Sequence, residues 1–166
     1  MSGARTITVR RASAGDLATV RAILVEADEW AAQFGIPMWV DDELSAGRIG
    51  ADIASGMMFL AEIEGVAIGT VRFQLSDAEF WPDVPPDESA YIHRLAVRRR
   101  WAGQGVSTAL MSWAAARTRA VGRTRLRLDC DDGRTRLRAM YERFGFRYHS
   151  DRQVGPYYVA RYEMEV

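Results

Sequence analysis

Between Ala90 and Met111 the hydrophobic period of the chain switches from that of a strand to that of a helix, and it does so across a basic, glycine-containing turn. Ala90 to Val97 is apolar and β-prone, with Tyr91, Ile92, Leu95 and Val97. Arg98 to Arg100 are basic. Gly103-Gln104-Gly105 then opens a helical pattern carried by Val106, Ala109, Leu110 and Trp113. A strand that feeds such a turn and then a helix builds an anion site. The first-turn N–H groups of a helix lack intrahelical partners, and the helix dipole favours negative charge there. Glycine lets the backbone take positive φ and approach a ligand closely. The stretch predicts a pyrophosphate cradle.

The remaining elements fall around it. Thr6 to Arg11 alternates as a first strand, and Ser13 with Asp16 three residues on is a helix start. Leu17, Val20, Ile23, Leu24 and Ala27 form the apolar face of a helix running to about Phe34, where Gly35-Ile36-Pro37 breaks it. Asp41 or Asp42 caps a second helix over 42–54. Met57 to Ile63 and Val66 to Leu75 read as a hairpin about Glu64-Gly65. A loop over 76–89 holds three prolines and Phe80-Trp81. After the glycine turn and its helix, Arg125 to Cys130 is a strand and Arg134 to Phe144 a helix. Phe146 to His149 and Tyr157 to Glu165 are the last two strands. The order is β-α-α-β-β-β-α-β-α-β-β. Short turns join several strands, so the helices cannot all be parallel crossovers. The expected fold is α/β (α+β), one domain over 1–166, with a mixed central sheet of about seven strands and helices on both faces.

Charge is divided along the chain. Up to His93 there are 6 Arg against 15 Asp and Glu, and from Arg94 onward 16 Arg against 7. A basic half that contains the glycine turn suits a polyanionic ligand, and an acidic half suits a cationic one. The single cysteine, Cys130, excludes an intrachain disulfide, and the two histidines, His93 and His149, give no zinc spacing. No apolar run is long enough to span a membrane and no signal-peptide pattern opens the chain. A cytoplasmic protein without a metal is expected.

Leu95-Ala96-Val97, the segment WAGQGVSTALM (101–111), LDC (128–130) and YERFGF (141–146), in this order and spacing, resemble the GNAT superfamily of acyl-CoA-dependent N-acetyltransferases. The resemblance covers nearly the whole chain. The family's phosphate turn reads Gln or Arg, two residues, Gly, one residue, then Gly or Ala. Those slots fall here on Ala102, Gly105 and Ser107, so only the central glycine is matched. A second frame puts Arg100, Gly103 and Gly105 in the slots. The departures affect side-chain contacts rather than a backbone cradle.

The resemblance implies that acetyl-CoA is held by Leu95, Ala96 and Val97 along the pantetheine and by Ala102, Gly103, Gln104, Gly105, Val106 and Ser107 at the pyrophosphate. Arg134 stands where many members carry an Asn near the cofactor. Tyr141 is implied as proton donor to the leaving thiolate, with the Val97 N–H as an oxyanion donor. For the base, His93 is the first candidate, sharing a strand face with Tyr91; Glu88 and Asp87 are the runners-up. Trp30, Phe34 and Trp39, with Tyr91, are implied to shape the acceptor pocket; Phe80 and Trp81 also lie in pocket-forming regions. The acids Asp28, Glu29, Asp41, Asp42, Glu79 and Asp83 near these aromatics suit a cationic amine. A ping-pong route through Cys130 is disfavoured, because Asp129 and Asp131 flank it and raise a thiol's pKa.

The function so implied is acetyl transfer from acetyl-CoA to a primary amine of a small molecule or peptide, by direct attack in a ternary complex. Neither nucleic acid nor membrane is expected as a partner, and a homodimer is compatible with this reading. A different class stays open beside it: a non-enzymatic module on the same fold that senses acyl-CoA or binds nucleic acid through its arginines.

Overall fold

The computed structural model describes residues 3–35, 37–40 and 42–166. Seven strands and four α-helices follow one another in the expected order. They are β1 (Thr8–Arg11), α1 (Leu17–Ala32), α2 (Ala46–Ala54), β2 (Met58–Ile63), β3 (Val66–Gln74), β4 (Ser89–Val97), α3 (Val106–Ala120), β5 (Arg125–Asp131), α4 (Thr135–Phe144), β6 (Arg147–Val154) and β7 (Tyr157–Glu165). The strands make a mixed sheet in the order β1-β2-β3-β4-β5-β7-β6. No described helix is long and apolar enough to cross a membrane.

By their internal contacts the residues form two compact units. The first is the chain up to Arg72 together with Arg94–Trp113. Its β-strands alternate, and the two faces of β2 carry different helices. Met58 and Leu60 join Val20, Ile23, Leu24 and Ala27 of α1 and Ile49 and Ile53 of α2 in one core. Phe59, on the opposite face, meets Trp113 of α3 with ring centroids 4.3 Å apart. Gly69 of β3 lets α3 approach closely. A Cβ there would stand 3.0 Å from Val106, 3.1 Å from the Ala96 carbonyl and 3.2 Å from Leu110.

Helix starts follow local chemistry. The Asp16 carboxylate accepts the Ser13 N–H at 2.7 Å and a fork of two bonds from Arg10 at 2.8 and 2.9 Å, which holds the carboxyl well below its ordinary range. Helix α2 begins at Ala46, not at 42. Ser45 is its cap, accepting the Arg48 N–H at 3.2 Å, while Asp42 belongs to the preceding turn. Asp41 and Ile36, named as cap and breaker, lie outside the described residues.

Among the described residues of the first unit, two charged groups are buried, Asp52 and Arg94. Arg94 of β4 adopts φ 53°, a left-handed conformation inside a strand. Its guanidinium is buried against Asp52 of α2 at 2.8 Å, with Arg72 on the same carboxylate at 3.4 Å.

The second unit is Phe73–His93 with Ala114–Val166. Here β4 and β5 run parallel, but their register covers only Ser89↔Arg125, Ala90↔Leu126 and Tyr91↔Arg127. β5 pairs with β7, and β7 with β6. β6 extends to Val154, well past His149, where Ser150 to Gln153 are polar throughout and offer no apolar alternation to read. In α4 only Tyr141 is buried; Leu137 and Met140 are half-buried.

Candidate active site

The glycine turn is built in the first unit. The Arg98 N–H donates to Ile68 of β3 at 2.9 Å, and a short 3-10 turn, Arg99–Trp101, reverses the chain. Gly103 and Gly105 then take φ of 73° and 85°. Helix α3 makes its first bond from Ala109 to the Gly105 carbonyl, at 3.0 Å. The N–H groups of Val106, Ser107 and Thr108 therefore precede any intrahelical acceptor. Ala102 to Gly105 are exposed, and a Cβ on either glycine would meet nothing within 4 Å. The space over the turn is open, and backbone donors surround it. The Gln104 side-chain amide donates to the Arg100 carbonyl at 3.0 Å across the turn.

Two of the three arginines before the turn are engaged by α1. Arg99 lies over the Trp30 ring at 3.7 Å, and Arg98 is 3.6 Å from Glu26. Trp30 in turn stacks edge-on with Phe34, centroids 5.0 Å apart, and Phe34 is 66% exposed. Trp30 and Phe34 thus extend an aromatic surface from the glycine turn. Trp39 is not part of it. It packs with Met38 against the α1–α2 core, and Asp28 accepts both their N–H groups at 2.9 and 3.2 Å.

In the second unit the chemistry gathers around His93. Its Nε2 is 2.6 Å from Asp77 Oδ2, and its Nδ1 is 3.6 Å from Asp129 Oδ2. The register explains the second approach. The β4–β5 ladder ends at Tyr91↔Arg127, and two residues further along each strand the same face carries His93 and Asp129. Both carboxylates are withdrawn from water, with side chains 3% and 8% exposed. Burial, opposed by His93, pushes the Asp129 carboxyl up to about 6. The three ligand-type atoms of this cluster lie within 4.8 Å of one another, which raises the question of a metal. In the same cluster each imidazole nitrogen faces a carboxylate, Nε2 that of Asp77 and Nδ1 that of Asp129. The arrangement suits a proton relay.

Rings enclose this cluster. Phe80 lies 5.3 Å from the His93 ring and 6.4 Å from Tyr157. Trp81 is buried beside Tyr91 (6.4 Å) and His149 (5.1 Å) and lies under Arg161 at 4.5 Å and Arg127 at 5.2 Å. Tyr91 is therefore a packing partner of Trp81. Glu88 is engaged elsewhere, 3.1 Å from Arg125 and 3.4 Å from Arg127, which makes it a clasp between β4 and β5. Asp87 is exposed and 3.3 Å from Arg123.

Tyr141 is buried between Phe146 (5.9 Å) and Tyr162 (6.2 Å). Burial, with Cys130 and Asp129 nearby, pushes its phenol far above the ordinary range, so it holds its proton and is a donor. Burial and Asp129 push the Cys130 thiol up to about 12. A thiol so raised is a poor nucleophile at neutral pH, which speaks against an acyl-cysteine route. Arg134 caps α4, and its charge is close enough to Cys130 and Tyr141 to oppose both shifts. Asp77 was not singled out by the sequence. It sits in a proline-rich loop 16 residues before His93, where no periodicity marks a contact.

A profile of the Acetyltransferase (GNAT) family matches residues 22–146. YesJ, an N-acetyltransferase of Bacillus subtilis, is 30% identical over 141 residues, 80% of this chain and 77% of its own. A GNAT-family acetyltransferase from Listeria monocytogenes superposes with a TM-score of 0.82 at 24% identity, covering 100% of this chain and 98% of its own. The PaiA N-acetyltransferase of Thermoplasma acidophilum, solved in complex with coenzyme A, gives a TM-score of 0.74 at 16% identity, over 94% and 98% of the two chains.

Proposed function

Because this chain belongs to the GNAT family of acetyltransferases, we propose that it moves an acetyl group from acetyl-CoA to a primary amine of a small molecule or peptide, by direct attack in a ternary complex. The observation that carries the reading is His93 held between two buried carboxylates, with Nε2 2.6 Å from Asp77. An amine is a cation at neutral pH and must lose a proton before it attacks. An imidazole oriented by a carboxylate accepts that proton.

The glycine turn fits the CoA pyrophosphate, since Gly103 and Gly105 leave open space over backbone donors. Residues Ala102 to Ser107 are the ones to hold it, and Leu95, Ala96 and Val97 the pantetheine. The PaiA relative, solved with coenzyme A, supports the same cofactor class here. When bound, acetyl-CoA supplies an activated acetyl thioester. The Val97 N–H is the donor for the carbonyl oxygen. Tyr141, kept protonated by burial, gives its proton to the departing sulfur. The nitrogen sheds two protons as the C–N bond forms and the C–S bond breaks. One leaves through His93 to solvent, and the other restores the Tyr141 phenol. Glu88, engaged by two guanidiniums, has no part in this reading.

Part of the motive for the nucleic-acid reading is taken up within the second unit. Arg123, Arg125, Arg127 and Arg161 are engaged by Asp87, Glu88, Glu163 and Asp83 within the second unit. The testing experiment incubates the protein with acetyl-CoA and a panel of primary amines, amino acids, aminoglycosides and peptides, with thiol release as readout. Acceptor-dependent release that Tyr141→Phe abolishes is expected; none across every class would overturn the reading.

A further inference from the structure

The buried Asp129 carboxylate is an unfinished site. Among the described residues its Oδ2 has no hydrogen-bond partner, although the side chain is only 8% exposed. His93 Nδ1, at 3.6 Å, is too far to be one. Buried carboxylate oxygens are normally bonded, and one left over calls for an explanation. Nearby positive charge does not supply it. Arg161 of β7, the guanidinium whose charge Asp129 feels, is taken up by Asp83 at 2.7 and 3.0 Å, by Ser150 and by the Phe80 carbonyl. The other charges acting on Asp129 are Asp77 and Glu79 from the β3–β4 loop and His93 itself. The two acids balance the two cations, so this oxygen can take a positively charged N–H donor as its missing partner. The neighbouring rings of Phe80 and Tyr157, 6.4 Å apart, give its carrier an apolar, aromatic flank.

We propose that Asp129 receives the ammonium group of the acceptor, so that the substrate class is a cationic primary amine carrying an apolar or aromatic body beside the nitrogen. This rests on the acetyltransferase reading with His93 as base, and it names which amines that base serves. The bound ammonium sits against His93, so the group that attracts the cation also presents its proton to the imidazole. Asp77 is a positioning residue that fixes the imidazole by its 2.6 Å contact at Nε2. Neutral alcohols and weakly basic arylamines are excluded, because they leave the carboxylate uncompensated.

The test uses the full chain saturated with coenzyme A and two probes of one shape, phenethylammonium chloride and neutral 2-phenylethanol. Binding is followed through the imidazole 15N resonances of His93. The ammonium should give a saturable shift and the alcohol none. Asp129→Asn should weaken the ammonium by at least about tenfold, while its coenzyme A-induced rise in Tm stays intact and shows that it is folded. Loss of that coenzyme A response would count against the acetyltransferase reading rather than this one. Equal binding of the two probes, no ammonium response at His93, an unchanged affinity in Asp129→Asn, or a response to Zn2+ in place of ammonium would each overturn the proposal.

Discussion

Replacing Asp129 by Asn should make this protein more stable, not less. The carboxyl is raised from an ordinary 3.8 to about 6, chiefly by burial. At 1.36 kcal/mol per pKa unit, keeping it ionised in the fold costs about 3 kcal/mol at neutral pH. The sign follows from which state binds the proton more tightly. Below pH ~4 folded and unfolded chains are both protonated and the penalty is absent. As pH rises toward about 6 the unfolded chain ionises first, and stability falls until the folded carboxyl ionises too. Asn keeps the shape and removes the charge. Asp129→Asn should therefore gain about 3 kcal/mol at pH 7–8, a rise in Tm of roughly 6–12 °C for a chain of this size, and almost nothing near pH 4. Urea unfolding of both proteins from pH 4 to 8 measures the gap. A variant less stable than the parent at pH 7, or a gap that does not shrink with acid, would refute the reasoning.

Other outcomes follow from the same geometry. Acetyl-CoA at a hundredfold excess over its Kd should stabilise the fold by about 2.7 kcal/mol; calorimetry showing no rise in Tm at saturation would remove the cofactor assignment. Tyr141→Phe should lower kcat by about 10²-fold while acetyl-CoA affinity stays put, and unaltered turnover in stopped assays would end its role as acid. His93→Gln should abolish the basic-side rise of kcat/KM with pH; an unchanged pH profile would return the proton to water. Gly69→Ala should cost about 1–3 kcal/mol, since its Cβ meets Val106, the Ala96 carbonyl and Leu110 at 3.0–3.2 Å, and an unshifted denaturation midpoint would contradict that packing.

What the sequence revealed and what it hid have a physical division. The strand–turn–helix from Ala90 to Met111 is visible because its period changes where its glycines stand, and the structure keeps both. The largely buried hairpin β2–β3 about Glu64-Gly65 and the strand β5 are visible in their apolar, β-prone sequence as well. β6 beyond His149 is hidden, since Ser150 to Gln153 are all polar and show no apolar alternation. The start of α2 is blurred because Asp41, Asp42 and Ser45 are all cap-forming residues, and the bond from Arg48 to Ser45 decides among them. At the site, His93 and Tyr141 could be proposed from the resemblance, but their surroundings could not. Asp77 and Asp129 reach His93 from a loop and from a neighbouring strand. Which residues face each other across β4 and β5 depends on a register that no single strand encodes. Trp39 and Glu88 show the same limit from the other side: residue type marks both as candidates, while their contacts with the α1–α2 core and with two arginines are set by the fold.

The left-handed residue in β4 bears on how freely this scaffold can be altered. Position 94 must accept φ 53° and also place a guanidinium on Asp52 in the interior. Glycine satisfies the first requirement and leaves Asp52 with Arg72 alone, at 3.4 Å; lysine keeps the charge but must hold it in a left-handed backbone without the planar guanidinium. The two demands intersect at almost one amino acid. Phe80 and Tyr157 are open to redesign toward new acceptors, but residue 94 and its partner on α2 can change only together.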